Sequence, residues 1–159
     1  MIRHSSPSVA AAAGTFDLVV CQNVLEHIEN DRAAVERMRD LLQPGGRLLL
    51  LVPAHQALYG TIDEAIGHYR RYASEDLVRL LASCGLEVES DIHVNATSIP
   101  GWLLNGRVLK RRSVPGVQAR LANRLVPIYR LERRFNLPFG LSVIAVARRG
   151  ERPLAQAAG

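Results

Sequence analysis

The sequence predicts an α/β fold organised on a parallel sheet, and three observations carry that prediction. Asp17–Val20 is a short valine-rich apolar run, the pattern of a strand buried on both faces. Arg47–Val52 is a second continuous apolar run. Between them, Asp31–Leu42 places Ala34, Val35, Met38, Leu41 and Leu42 at helical spacing along one face. Strand, crossover helix and strand make a right-handed βαβ unit with its two strands parallel. In such sheets ligands sit beyond the carboxyl ends of the strands, which directs attention to Cys21–His27 and Ala54–Tyr72.

In chain order, residues 1–15 contain SSPS and VAAAAG, show no periodicity, and are expected to form a disordered start. Asn30 or Asp31 can cap the first helix, and Pro44-Gly45-Gly46 ends it. Ala54–Ala73 reads as a long loop with a helical turn near Ile62–Ile66, and loops of that length are more often functional than ornamental. Ser74 is placed to cap a helix whose buried face is Leu77, Leu80, Leu81 and Cys84, with Gly85 as its terminator. Leu86–Val94 alternates in part and predicts a strand near a sheet edge. Ile99–Lys110 and Val117–Phe135 read as basic amphipathic helices separated at residues 113–116, and Leu141–Ala147 is a further strand. Residues 149–159 are expected to fray, leaving 16–148 as the ordered domain, with a helical insertion at about 99–135.

The 159 residues, 48% of them hydrophobic, are enough for one domain with a real core. No apolar run approaches the roughly 20 residues of a membrane span, and no basic-then-apolar leader opens the chain. Cys21 and Cys84 have neither metal-site nor disulfide-framework spacing, so both read as core residues of a cytoplasmic protein. Charge is uneven: residues 1–100 carry a net −5 and residues 101–159 a net +10. The basic third could face a phosphorylated substrate or an anionic membrane surface. Aromatics are too few for a nucleic-acid module, and nucleic acid is not an expected partner.

With these residues in place, the chain resembles the C-terminal half of a class I S-adenosylmethionine-dependent methyltransferase. The matching segments are FDLVVCQNVLEHI (16–28), LLQPGGRLLLLVP (41–53), LYGTIDEAIGHYRRY (58–72), ASEDLVRLLASCGLEVE (73–89) and LPFGLSVIAVAR (137–148). The resemblance implies a seven-stranded Rossmann-like sheet in the order 3-2-1-4-5-7-6 with an antiparallel last strand. The strands here are then the fourth to seventh, and the basic helices form an insertion between the last two. No Gly-x-Gly-x-Gly occurs in the chain. The family's cofactor loop and the strands beside it are therefore missing, and Asp17–Val20 should be an open edge. We expect either a truncated reading frame or an association, with itself or another chain, that caps this edge.

The resemblance also implies site roles. Gln22, Asn23 and Glu26 would face the cofactor, S-adenosylmethionine. His27 would sit at the reacting centre, where a near-neutral imidazole can take a proton from a hydroxyl acceptor. In the second loop His55, Tyr59, His68, Tyr69, Arg70 and Arg71 concentrate cations, donors and aromatic faces suited to a small or lipid-like anionic acceptor. The plainer alternative pairs Arg70 or Arg71 with Asp63 or Glu64 to shape the loop. Trp102 with Arg107, Lys110, Arg111 and Arg112 could form a lid or a peripheral membrane contact, or simply a solvated helix face. Glu26 and His27 offer two metal ligands, and two ligands do not make a site, so no metal is expected. The expected function is methyl transfer; the alternative is a non-catalytic half-domain that pairs through its open strand.

Overall fold

The computed structural model describes residues 13–113 and 137–151. Its four strands are β1 (Phe16–Gln22), β2 (Leu42–Pro53), β3 (Leu86–Val94) and β4 (Ser142–Arg149), in the spatial order β1-β2-β4-β3. β1 runs parallel to β2, while β4 is antiparallel to both β2 and β3. This is the 4-5-7-6 order with an antiparallel final strand that the resemblance implied. The crossover between β1 and β2 is α1 (Asp31–Leu41), whose N-cap Asn30 accepts a hydrogen bond from the Ala33 amide.

β2 begins five residues earlier than the apolar run suggests. Leu42 already pairs with Phe16, and the ladder then slips so that Leu18 faces Arg47. Gln43–Gly46 bulges out between those pairs, with Gly45 at φ 80° where only glycine is unstrained. Pro44-Gly45-Gly46 therefore kinks a strand rather than merely ending a helix.

Alternate residues of the sheet build the core. Cys21, Leu48, Leu50, Val52, Val143, Ala145 and Ala147 are buried on one face, together with Val35 of α1 and Leu77 and Leu81 of α3 (Ser74–Ser83). The other face is bare at β1, where Phe16, Leu18 and Val20 are 45–54% exposed. Burial of β1 on both faces, read from its composition, is thus corrected. No element among the described residues covers the second face, and no strand among them pairs with the outer edge of β1.

Two local expectations also change. Ser74 is not the cap of α3; Ala73 holds that position, and the Ser74 hydroxyl instead donates to Asp91 on β3. The basic segment after residue 98 is a short α4 (Ile99–Leu103) followed by one π-helical turn over Leu104–Val108. Its expected continuation, Val117–Phe135, lies outside the described residues, as do 1–12 of the N-terminal segment and 152–159 of the tail. Residues 14 and 15 are tied to the end of α1 by hydrogen bonds from their backbone amides to the Asp40 and Leu41 carbonyls. Arg149, expected to fray, ends β4 and places its guanidinium on the last carbonyls of α1, where the helix dipole favours a cation.

Gly140 locks the entry to β4. A Cβ there would lie 2.6 Å from the Val94 amide nitrogen and 3.0 Å from its carbonyl carbon, both backbone atoms. Gly140→Ala is therefore expected to cost about 1–3 kcal/mol by forcing apart β3 and the turn into β4. A urea melt reads this as a lower midpoint with an unchanged slope.

Candidate functional site

The site lies where βαβ geometry puts it, beyond the carboxyl ends of β1 and β2. Asn23 follows β1 with φ 49°, and its amide donates to the Leu51 carbonyl (2.9 Å), turning the chain off the sheet. A 3₁₀ turn over Leu25–His27 then buries Glu26 and leaves His27 exposed. The loop after β2 contains a 3₁₀ turn at Gln56–Leu58 and the short α2 (Thr61–Ala65). Its return strand is pinned by a parallel bridge between Ala54 and Tyr72. Between these loops is a cleft of about 320 Å³ lined by Asn23, Glu26, His27, Pro53, Ile66, His68, Arg71, Trp102, Leu141 and Ser142.

Asp63, fully buried, organises the cleft wall. Its carboxylate accepts from Arg71 Nε (2.9 Å), His68 Nδ1 (2.8 Å) and the Gly60 amide (3.0 Å). Arg71 also donates to the Ala54 carbonyl (3.2 Å), and its guanidinium lies 4.6 Å from the centre of the Trp102 ring. Trp102 in turn donates to the Leu58 carbonyl (3.2 Å), fastening α4 to the loop. Burial lowers the Arg71 pKa, and the partnership with Asp63 opposes that shift.

Glu26 is the anomaly. It is 1% exposed, yet neither carboxylate oxygen has a hydrogen-bond partner among the described residues. His68 Nε2 is 3.7 Å from Oε1. Burial raises the Glu26 pKa, outweighing the opposing pull of its own backbone amide and of His68, His27 and Arg71. His27 stands edge-on to His68, ring centres 4.7 Å apart, with its Nδ1 3.1 Å from the Gly67 carbonyl.

Of the residues singled out in the sequence, the cleft gathers Asn23, Glu26, His27, His68, Arg71 and Trp102. Gln22 is exposed at the end of β1. Arg70 turns to α1, donating to Asp31 (2.7 Å) and to the Glu29 carbonyl (2.7 Å). Tyr59 donates its hydroxyl to the His68 carbonyl (2.7 Å), and Tyr69 is 54% exposed. His55, at φ 60°, stacks on His93 of β3 rather than on the cleft lining. The sequence marks Asp63 only as a possible arginine partner; its central place depends on a fold-back of the loop that no local pattern encodes.

The His55–His93 pair gives a pH test. Burial holds the His93 imidazole below its ordinary pKa, as does His55 stacked at 5.2 Å, while Asp91 and Glu75 pull the other way. The unfolded chain then binds a proton that the folded chain resists. Stability is complete above the ordinary histidine value near ~6.5 and falls as pH drops through it toward the folded value. The melting temperature should therefore decline between pH 7.5 and 5.5, and His93→Gln should flatten that decline.

Strand order, antiparallel β4 and a cleft at the strand ends define the class: an α/β domain of the class I S-adenosylmethionine-dependent methyltransferase type. The family's sequence profile, described as a methyltransferase domain, matches residues 2–91, more than half of the 159, and the chain belongs to that family. A ubiquinone biosynthesis O-methyltransferase of Xanthomonas axonopodis pv. citri is 30% identical over 118 residues, 66% of this chain and 48% of that protein. The chain thus spans about half the length of this curated relative. A SAM-dependent methyltransferase from Thermotoga maritima shares the fold with a TM-score of 0.57 at 14% identity, covering 89% of this chain and 58% of the other. A methyltransferase of Haloferax volcanii, solved in complex with the Trm112 methyltransferase activator, matches with a TM-score of 0.53 at 11% identity, covering 89% and 57%.

The residues present suit one end of the cofactor. The primary amide of Asn23, in the cleft lining, offers a donor and an acceptor, the chemistry an amino acid's carboxylate and ammonium require, whereas Gln22 lies outside that lining. Nothing in the chain corresponds to the glycine-rich loop, so the fit extends to the amino acid end alone.

Proposed function

We propose that this chain forms the acceptor-side half of a methyltransferase site that transfers a methyl group to the hydroxyl of a small or lipid-like acceptor. The observation that carries this reading is the cleft itself, which gathers Glu26, His27 and His68 with Arg71 and the Trp102 ring stacked on it. When bound, S-adenosylmethionine supplies the electrophilic methyl group. Asn23 would hold its amino acid end, His27 would take the acceptor proton at Nε2, and Trp102 and Ile66 would exclude water from the reacting centre. Arg70 and Arg71 are engaged with Asp31 and Asp63. An anionic portion of the acceptor would then meet the exposed Lys110 and Arg112, since Arg107 and Arg111 donate to the Tyr59 carbonyl and the Asn105 side chain. The O-methyltransferase relative and the methyltransferase family support the reaction class.

The test is transfer of labelled methyl from S-adenosylmethionine to a panel of phenols, catechols and hydroxylated lipids. Label appearing in an oxygen-linked product is expected; label reaching only amines, or none of the panel, removes the reading. A second reading, favoured by the bare edge and apolar face of β1, is a non-catalytic half-domain that pairs with another chain through Asp17–Val20. Calorimetry separates the two. No heat with S-adenosylmethionine or S-adenosylhomocysteine, together with a partner lost on Leu18→Glu, favours the second.

A further inference from the structure

The buried, unpartnered carboxylate of Glu26 requires a counterpart. An ionised carboxylate withdrawn from water without hydrogen bonds is costly, and native proteins resolve this by pairing, protonation or a cation. Two histidines stand beside it with matching preparation. Asp63 and the Gly67 carbonyl can only accept from the Nδ1 atoms of His68 and His27. Each imidazole is thereby held with Nδ1 protonated and Nε2 presenting its lone pair. A carboxylate or carbonyl behind a histidine, fixing its tautomer and ring plane, is the outer support that metal-ligating histidines need. The ligand atoms of Glu26, His27 and His68 all lie within 4.8 Å of one another.

We infer that Glu26, His27 and His68 form a binding site for a single divalent transition-metal ion. Ligand distances of about 2.0–2.2 Å ask the three atoms to draw in by roughly 1 Å. The exposed His27 has the freedom to make most of that movement. Two imidazole nitrogens and one carboxylate favour zinc, manganese or iron(II) over magnesium or calcium, which prefer all-oxygen shells. The ion and the acceptor proton compete for the same Nε2 lone pair of His27, so His27 acts as proton acceptor only while the ion is absent. With the ion bound, three protein ligands leave positions open to an acceptor hydroxyl, whose proton the ion would release to water more readily. That last role rests on the methyltransferase reading; the binding of the ion does not. The sequence had offered Glu26 and His27 as an incomplete pair, and the third ligand comes from 41 residues further on.

The experiment is calorimetric titration of the chelator-treated full chain with zinc, manganese and magnesium in separate runs, with no methyl donor or acceptor present. One ion per chain is expected, with Glu26→Gln and His27→Ala each weakening binding at least tenfold. Manganese binding should also be visible as loss of the free-ion electron paramagnetic signal. His27→Ala keeps the test decisive should Glu26→Gln misfold, because the His27 side chain is exposed; circular dichroism of the metal-free variants checks both. No binding at millimolar metal, unchanged affinity in a folded His27→Ala, or tighter binding of magnesium than of zinc and manganese would overturn the site. Because neither donor nor acceptor is used, failure here leaves the methyltransferase reading standing, and failure of methyl transfer leaves the metal site standing.

Discussion

Replacing Asp63 by alanine should destabilise the domain by about 3–5 kcal/mol, the scale for orphaning one member of a buried ion pair. The reason is the number of groups that depend on one carboxylate. Arg71, 5% exposed, would keep only the Ala54 carbonyl and the Trp102 face for its charge. His68 would lose the partner that orients its ring, and the Gly60 amide would lose its acceptor at the start of α2. For a domain of this size the melting temperature should fall by on the order of 10 °C. Asp63→Asn retains an acceptor but not the charge and should fall between the two. The control is Asp63→Ala combined with Arg71→Met. Removing both charges should recover much of the loss, since a missing pair costs less than a broken one. If the double variant melts below Asp63→Ala, the ion pair is not the source of the effect.

The contrast between Asp63 and Ser74 shows where sequence reasoning reaches and where it stops. Apolar runs located β1, β2 and β4, because β-branched and aliphatic runs mark strands, although the same runs overstated the burial of β1, whose Phe16, Leu18 and Val20 are exposed. The helical spacing of Ala34, Val35 and Met38 located α1 within one residue of its end. Ser74 had the right chemistry for a cap, but Asp91, 17 residues away on β3, takes its hydroxyl, and no window of local sequence contains that competitor. The site divides in the same way. Glu26 and His27 follow a parallel strand, so topology alone nominates them. His68, Arg71 and Trp102 reach the cleft only because the loop after β2 folds back through the Ala54–Tyr72 bridge and the Asp63 hub. Their types suggested function; their mutual geometry is a tertiary fact. The antiparallel placement of β4 between β2 and β3 was accessible through family resemblance, not through periodicity.

His27→Ala should behave in the opposite manner to Asp63→Ala. The His27 ring is exposed, and among the described residues its side-chain hydrogen bond is to the Gly67 carbonyl alone, so unfolding should shift by no more than about 0.5 kcal/mol. Turnover in labelled methyl transfer should nevertheless fall about 10²–10⁴-fold, the scale for losing a positioned proton acceptor. KM for the acceptor should stay within a few-fold, because the aromatic and aliphatic wall made by Trp102, Ile66 and Pro53 is untouched. A fall in turnover together with a large rise in KM would instead make His27 part of the acceptor's binding surface. A variant within threefold of the parent on both counts would move the reacting centre away from the end of β1. Asp63→Asn adds the complementary comparison: if His68 must be oriented for turnover, activity should drop there even at temperatures where the protein remains folded, and the two losses should not add, since both act on the same pair of rings 4.7 Å apart.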